Sequence, residues 1–216
     1  MFRNFGPKEF LLLAHGLQWT LALTASAFIG SGLLGLAILL LRTGRSRLLR
    51  WSAEIWTQVV QGTPLLGHIF LVFFGLALFD IDVPRWLAAT VALSIYGSAF
   101  LAEIWRGAVE AIPKGQWEAS RALGMTTYHE LRLVILPQAL TIAIPPTVGF
   151  LVQLIKNTSL ASIIGLVELS REAQLVNGAT FAPFSVYLCT SALYFGLCFP
   201  LTSLSRMLER RAAHSR

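Results

Sequence analysis

Charged side chains are scarce in this sequence. Only 13% of its 216 residues are charged, whereas a soluble domain carries about 25%. Residues 16–41 contain no charged side chain at all, and about 20 apolar residues already suffice to cross a bilayer as a helix. This composition excludes a soluble enzyme and a disordered chain.

Cysteine is nearly absent as well. Cys189 and Cys198 are the only two, and both lie in an apolar stretch. Disulfide scaffolds need several cysteines, and metal or redox motifs use a tighter spacing such as C-x-x-C. We therefore expect both cysteines to be inert helix residues, and we predict no metal site.

Nucleotide-binding motifs are missing too. The sequence has no G-x-x-x-x-G-K-S/T phosphate-binding loop, whose backbone amides would hold a nucleotide. Its longest connector between apolar windows has about 30 residues, which is too few for a catalytic domain. The chain is therefore predicted not to be an enzyme and to hold no cofactor; any ATP and magnesium would bind to another chain.

What the sequence does have is five long windows without charge. In lipid every backbone amide must find a partner within the protein, so such runs form helices. The third window ends at Ala102, and its helix is expected to continue toward Arg106. We predict an all-α integral membrane protein with one transmembrane domain over 1–216. Its helices are expected at about 16–41, 55–79, 86–106, 133–155 and 184–204.

Lysine and arginine are unevenly distributed between the two sides of the predicted helices. Twelve of the 17 lie in 42–54, in 103–132 and after the last helix, and five lie on the opposite side. Cytoplasmic loops carry the excess of basic residues. The N-terminus is therefore predicted to be periplasmic and the C-terminus cytoplasmic. The net charge of +6 then needs no nucleic-acid partner; membrane lipid is the expected surrounding.

The first helix contains two patterns that suggest other functions. Residues 25–27 are similar to a signal-peptide cleavage site, but the apolar run continues to Leu41, so we do not expect cleavage. Residues 30–35 match G-x-G-x-x-G, but a dinucleotide site needs a preceding strand and a turn open to solvent. We interpret these small residues instead as positions where a neighbouring helix approaches closely.

The connector between the third and fourth helices contains a predicted short helix of its own. Pro113 interrupts the chain, and a helix is predicted from about Gln116 to Leu123, with Gly124 as its C-terminal stop. A capping box over 127–130 is expected to start the next helix.

A cytoplasmic helix held in this way suits docking to a partner. Ala119, Ser120 and Ala122 give the predicted helix a small face that permits close contact with a partner groove. The alternative interpretation of the loop, about 113–127, is a solvated connector.

The same segment resembles a family motif. Glu118-Ala119-Ser120, Gly124 and Val134-x-Leu136-Pro137 are similar to the E-A-A-x3-G-x9-I-x-L-P motif of ABC importer permeases. The resemblance implies the type I importer permease fold (MetI-like), with this segment as a coupling helix inserted into a cleft of the ATP-binding subunit. The residues to which it assigns ATPase coupling are Gly115, Glu118, Ala119, Ser120, Gly124, Leu136 and Pro137.

Further segments resemble the polar amino-acid (histidine/glutamine-type) branch of that family. They are residues 62–66, Tyr96, 102–107, 113–116, 136–139, 156–160 and 164–165. Gln61 stands where the branch usually has Arg, which leaves the charge preference for the substrate open. The resemblance implies a second permease chain, identical or related, two ATP-binding cassette subunits and an extracytoplasmic amino-acid-binding protein.

Polar side chains inside the apolar windows are candidates for a substrate path, because they are costly in lipid and usually face a cavity. Gln61 is predicted to share a helix face with His68, and Pro145-Pro146 to break the fourth helix. Ordinary interhelical hydrogen bonding is the alternative, and for His68 it is favoured. The predicted path residues are Gln61, Thr63, Gln153, Asn157 and Thr158.

Two pairs of charged residues have open roles. Glu103 and Arg106 are spaced for a local ion pair, which favours anchoring of the helix over gating. Arg171 and Glu172, in the outer connector, either contact a soluble delivery protein or lie in a solvated loop.

The resemblance, together with the predicted membrane helices, implies the permease subunit of an ATP-driven ABC importer for polar amino acids in the bacterial inner membrane. The alternative is an ion-coupled secondary transporter or a channel subunit. That class needs a buried proton or cation relay, yet no Asp or Glu lies inside the five apolar windows.

Overall fold

The computed structural model describes residues 5–44 and 46–214, and those residues form helices and no strand. The helices are α1 Pro7–Thr43, α2 Arg47–Gly62, α3 Leu65–Phe70, α4 Arg85–Glu110, α5 Lys114–Ala122, α6 Thr127–His129, α7 Leu136–Asn157, α8 Leu169–Thr180 and α9 Pro183–His214. One π-helical turn, Leu71–Gly75, extends α3 and another, Glu130–Ile135, joins α6 to α7. A 3₁₀ segment, Thr158–Ile164, follows α7. The prediction of an all-α protein is confirmed.

Four stretches of the described chain are long and apolar enough to cross a membrane. They are Pro7–Thr43, Arg85–Glu110, Thr127–Ile164 and Pro183–Ala212. A fifth span exists if α2 and the α3 segment, which meet at a sharp bend, are counted together. The described helices extend beyond the charge-free windows, and their ends include charged residues such as Arg42 of α1 and Glu110 of α4.

α1 and α4 pack against each other at the centre of the core, around the buried side chains Leu23, Leu93 and Leu101. Gly30 on α1 faces Ser94 on α4, and a Cβ atom on Gly30 would lie 2.2 Å from the serine hydroxyl oxygen. Glycine therefore sets the distance between these two helices. The interpretation of residues 30–35 as a packing stretch is confirmed.

The second span is bent, which corrects the prediction of one helix over 55–79. α2 begins at Arg47 and ends at Gly62, and the chain turns by 103° before α3 continues. Pro64 has no N–H to bond to the Val60 carbonyl. The Thr63 hydroxyl donates to that carbonyl at 3.3 Å and to the Val59 carbonyl at 2.9 Å. The side chain thus compensates for the backbone bonds lost at the break.

The bend also separates two residues that were predicted to share a helix face. Gln61 stays on α2, where its amide donates to the Ala99 carbonyl of α4 at 3.2 Å. His68 lies on α3, and its ring nitrogens contact Thr63 Oγ1 at 3.3 Å and the Pro64 carbonyl at 3.2 Å. The prediction of a common face is therefore wrong, whereas a local hydrogen-bonding role for His68 is present.

The prolines of the fourth span do not bend their helix, unlike Pro64 in the second span. Pro145 and Pro146 lie inside α7, which is continuous, so the predicted break is wrong. Ser205 on α9 donates to the Pro145 carbonyl at 2.8 Å, and the Thr147 hydroxyl donates to the Ala143 carbonyl at 2.7 Å. Neighbouring helices and hydroxyl side chains can support a proline within a membrane helix.

The outer connector is folded and not a solvated loop. Glu168 is fully buried and caps α8, since its carboxylate accepts from the Arg171 N–H at 2.9 Å. Its other oxygen accepts from the hydroxyls of Thr20 on α1 and Tyr194 on α9, both at 3.2 Å. One carboxylate therefore joins three helices, and burial raises the pKa of Glu168.

The two charged residues that follow Glu168 differ in exposure. Glu172 is buried, and it packs so closely that a Cβ atom on Gly16 of α1 would lie 2.9 Å from the glutamate Cβ. Arg171 is half-buried and donates to the Gln174 side chain at 3.0 Å. Glu172 is therefore unsuited to contact a soluble protein.

Candidate functional site

α5 runs from Lys114 to Ala122 and starts two residues before the predicted boundary. Two backbone hydrogen bonds close its C-terminal turn, from Gly124 N to the Arg121 carbonyl at 2.9 Å and from Met125 N to the Ser120 carbonyl at 3.2 Å. This pair of bonds is the Schellman arrangement. Gly124 has a φ of +74°, and its predicted place at the helix stop is confirmed.

α5 has an outer face that is open to a partner. Glu118, Ala119 and Ala122 are exposed, and Leu123, at the end of the helix, is 77% exposed. A carboxylate next to two small residues and one large apolar side chain provides both a charge and a shallow surface for docking.

The inner face of α5 is fixed to the membrane helices. Trp117 packs on a cluster around Ile112, Ile135 and Ala139. Ser120 is only 3% exposed, so its predicted place on the docking face is wrong. The reason is that Ser120 lies one helical turn after Trp117 and therefore on the same, inner side.

A buried carboxylate holds this inner face. Glu130 is 2% exposed, and its Oε1 accepts from the Ser120 hydroxyl at 3.0 Å and from Arg121 Nε at 3.2 Å. The predicted capping box is wrong in its cap residue, because Thr126 caps the helix by accepting from the His129 N–H at 3.5 Å. Glu130 does not cap; it bonds back to α5.

A cavity of about 520 Å³ lies at the joint between α5 and α7. Pro137 lines it, and Gln116 of α5 and Gln138 of α7 line it as well, with their side-chain amides 3.4 Å apart. Leu136 is exposed, and so is Gly115 at the start of α5. The structure therefore gathers most of the predicted coupling residues around one helix and the base of the next.

An ion-pair cluster joins the ends of α1 and α4. Arg42 donates to Glu103 at 2.6 Å, and Glu103 also pairs with Arg106, which in turn pairs with Glu110. The local pair predicted from the spacing of Glu103 and Arg106 is present. Arg42 adds a bond between two helices, which favours anchoring.

The predicted path residues do not form one hydrogen-bonded site within the described chain. The Gln61 amide is bonded to the α4 backbone, and the Thr63 hydroxyl to its own helix. Thr158 is buried, and its hydroxyl donates to the Ile155 carbonyl at 2.7 Å. Gln61 is exposed on α2, and on α7 Gln153 is exposed and Asn157 half-buried, so these three amides are accessible to a ligand.

A row of aromatic rings runs from the bent span, which carries Gln61 and Thr63, to α7, which carries Gln153 and Asn157. His68 contacts Tyr96, Tyr96 contacts Phe100, and Phe100 stacks on Phe150, with ring centroids 6.1, 4.7 and 5.7 Å apart. The row joins the bent span to α7 across α4, and Gln153 follows Phe150 by one helical turn. Gln61 bonds to the residue before Phe100.

Comparison with known proteins identifies the family of this chain. Residues 31–214 match the model of the binding-protein-dependent transport system inner membrane component. The chain belongs to this family. The permease is 36% identical over 201 residues to the L-cystine transport system permease protein of Bacillus subtilis, covering 93% of this chain and 86% of that protein. It is 33% identical over 202 residues to the glutamine transport system permease protein of Escherichia coli, covering 93% and 92%.

Solved structures agree with this assignment. The crystal structure of an amino acid ABC transporter with histidines is 34% identical, with a TM-score of 0.90 over 94% of this permease and 95% of that chain. An inward-facing structure of the MetNI methionine ABC transporter, at 21% identity and a TM-score of 0.75, covers 94% and 99% and shows the same fold. The expected type I importer permease fold is confirmed.

Two features of this permease were missed by sequence reasoning. Glu130 was assigned to a cap, although a carboxylate in the helix that enters the membrane needs hydrogen-bond donors, and Arg121 in the preceding connector is a cationic candidate. The aromatic row was missed because its members come from three helices, and no local spacing connects them.

Proposed function

We propose that this permease is the membrane subunit of an ATP-driven importer that carries polar amino acids across the bacterial inner membrane. The observation that carries the proposal is the geometry of α5. Its outer face offers Glu118, Ala119 and Ala122 to a partner, while its inner face is bound to the helix that enters the membrane. A helix with that arrangement suits the transfer of a partner's movement to the membrane spans.

Three kinds of partner follow from this function. A second permease chain, identical or related, completes the path, and two ATP-binding cassette subunits bind ATP and magnesium and dock on α5. An extracytoplasmic binding protein delivers the amino acid. The description of the family as binding-protein-dependent supports this composition, and the excess of basic residues near α5 supports a cytoplasmic side for that helix.

The substrate path is proposed to pass the polar residues of α2, α3 and α7. The exposed amide of Gln153 and the half-buried amide of Asn157 can bond the carboxylate and ammonium groups of an amino acid without leaving a charge buried when the site empties. Gln61, Thr63 and Thr158 are proposed to border the same path. The names of the cystine and glutamine relatives support a polar amino acid as cargo.

The decisive experiment is uptake of radiolabelled amino acids into proteoliposomes that contain this permease, its partner ATPase and its binding protein. We expect uptake to require ATP and the binding protein and to be unaffected by collapse of ion gradients. Uptake that follows a proton or sodium gradient without ATP would instead support a secondary transporter. Glu118→Lys should lower the amount of ATPase that co-purifies, because the charge at the docking face is reversed.

A further inference from the structure

The turn between α5 and the next helix contains a glycine with a positive φ, and one buried carboxylate forms hydrogen bonds across that turn. Gly124 has a φ of +74°, and nothing in the described chain lies within 4 Å of the place a Cβ would take. A glycine in this conformation, with open space around it, can act as a hinge. Two hydrogen bonds to Glu130 tie the chain on both sides of that hinge together.

These two hydrogen bonds, from Ser120 and Arg121 to Glu130, form a clasp that joins α5 to the buried base of the membrane helix. Arg121 has a side chain that is 68% exposed, whereas that of Glu130 is 2% exposed. A buried carboxylate is stable only when it is paired and hydrogen-bonded. Swinging α5 away would leave the Glu130 carboxylate without either side-chain partner, so the clasp opposes that movement.

We propose that Glu130 is a positioning residue that makes α5 and the helix beginning at Thr127 move as one body. This inference rests on the proposed function, since it concerns how movement of a docked ATPase reaches the membrane spans. Glu130 acts through Ser120 and Arg121 and touches neither substrate nor nucleotide. Loss of the clasp would leave only the packing of Trp117 and the contact between Gln116 and Gln138 to hold α5 to the next helix. A docked α5 could then rock about Gly124, and part of the ATP would be hydrolysed without transport.

The test is the ratio of amino acid transported to ATP hydrolysed by the reconstituted complex. Glu130→Met keeps the length of the side chain and removes the acceptor. We expect the complex to assemble and to retain its basal ATP hydrolysis, and uptake per ATP to fall about twofold to thirtyfold, the range measured for residues that couple distant sites. Glu130→Gln retains an oxygen that can accept from Ser120 and Arg121, so it should restore most of the coupling.

Two further variants keep the test decisive. If Glu130→Met does not assemble, Ser120→Ala takes its place, because it removes one bond and leaves the carboxylate paired with Arg121; we expect a smaller fall in the same ratio. Glu209→Met, which removes an exposed carboxylate on α9, is the control and should leave the ratio unchanged.

The outcomes separate this inference from the proposed function. A wild-type complex whose uptake needs no ATP contradicts the proposed function itself. An ATP-driven wild type with full coupling in Glu130→Met overturns only the role of Glu130. A parallel loss of uptake and hydrolysis in Ser120→Ala would overturn it too, since that pattern indicates a docking or folding role.

Discussion

Gly97 of α4 lies so close to Ser31 of α1 that a Cβ atom on the glycine would come within 2.1 Å of the serine hydroxyl oxygen. The reciprocal contact, Gly30 against Ser94, lies within one helical turn of it on the same interface. These contacts bring the backbones of the two central spans together without room for any larger residue. They therefore make the α1–α4 interface sensitive to single methyl groups.

The first prediction concerns this interface. We expect Gly97→Ala to lower the apparent Tm of the purified protein in detergent, because overpacking costs about 1–3 kcal/mol. Gly107→Ala on the same helix is the control: nothing in the described chain lies within 4 Å of its Cβ position, and alanine there should stabilise the helix by about 0.5–1 kcal/mol. Addition of Ser31→Gly should recover part of the loss in Gly97→Ala. Equal Tm values for the two alanine variants would contradict the packing argument.

A second prediction isolates backbone conformation at the end of α5. We expect Gly124→Ala to destabilise the turn by about 1–2 kcal/mol, because alanine resists a positive φ. Gly178→Ala, inside α8, is equally free of neighbours in the described chain and should be neutral or stabilising. Limited proteolysis of the reconstituted permease between α5 and α6 gives the readout. Equal cleavage rates in both variants would mean that the turn does not need its glycine.

The third prediction concerns the substrate path. We expect Gln153→Leu to reduce amino-acid uptake while the complex with the ATPase still forms, because the exposed amide of Gln153 is replaced by a side chain that cannot hydrogen-bond a polar ligand. Gln18→Leu, which removes an exposed amide on α1, should leave uptake intact. Unchanged uptake kinetics in Gln153→Leu would show that Gln153 does not border the substrate path and that its side chain contacts lipid or a neighbouring helix instead.

The fourth prediction concerns orientation. In a variant with both native cysteines replaced by alanine, we expect a membrane-impermeant maleimide added outside cells to label Asp82→Cys but not Glu209→Cys. The reason is that the side with twelve of the 17 basic residues should be cytoplasmic. Labelling of Glu209→Cys alone would show that the orientation is the reverse of the predicted one, with α5 outside the cell.

The fifth prediction follows from the buried carboxylate in the outer connector. Burial raises the pKa of Glu168 above its ordinary value of 4.5, so the folded protein binds this proton more tightly than the unfolded chain does. Its contribution to stability is present below pH 4.5 and is lost as the pH rises through the folded-state pKa. We expect the apparent Tm to fall over that range in the wild type.

Glu168→Gln should flatten this pH dependence, because an amide does not titrate and can still accept from Thr20 and Tyr194. Glu209→Gln, at an exposed site, should follow the wild-type curve. A Glu168→Gln curve parallel to that of the wild type would show that the carboxylate is not the titrating group.

Much of the architecture could be predicted from local sequence. Charge-free windows indicate spans because a bilayer requires about 20 apolar residues in a row, a property that a single segment either has or lacks. The helix stop at Gly124 was equally predictable, since a positive φ is a property of one residue. The small residues at 30–35 indicated a close contact with a neighbouring helix, because small side chains let two helix backbones approach each other.

Only the tertiary structure decided what each proline and each polar residue does. Pro64 marks a 103° bend, whereas Pro145 and Pro146 lie in a continuous helix. A proline inside a helix removes one hydrogen bond. Whether the helix bends depends on what surrounds the proline, here the Thr63 hydroxyl or the packing of α9.

Glu130 and Glu168 follow the same rule. The sequence suggested a cap for Glu130. The fold instead gives Glu130 donors from the preceding helix α5, and it gives Glu168 donors from α1 and α9. A buried carboxylate is stable only if those donors are present. Sequence alone determined which segments enter the membrane, because that depends on the polarity of one segment; the side-chain partners depend on where several segments meet, which only the folded chain fixes.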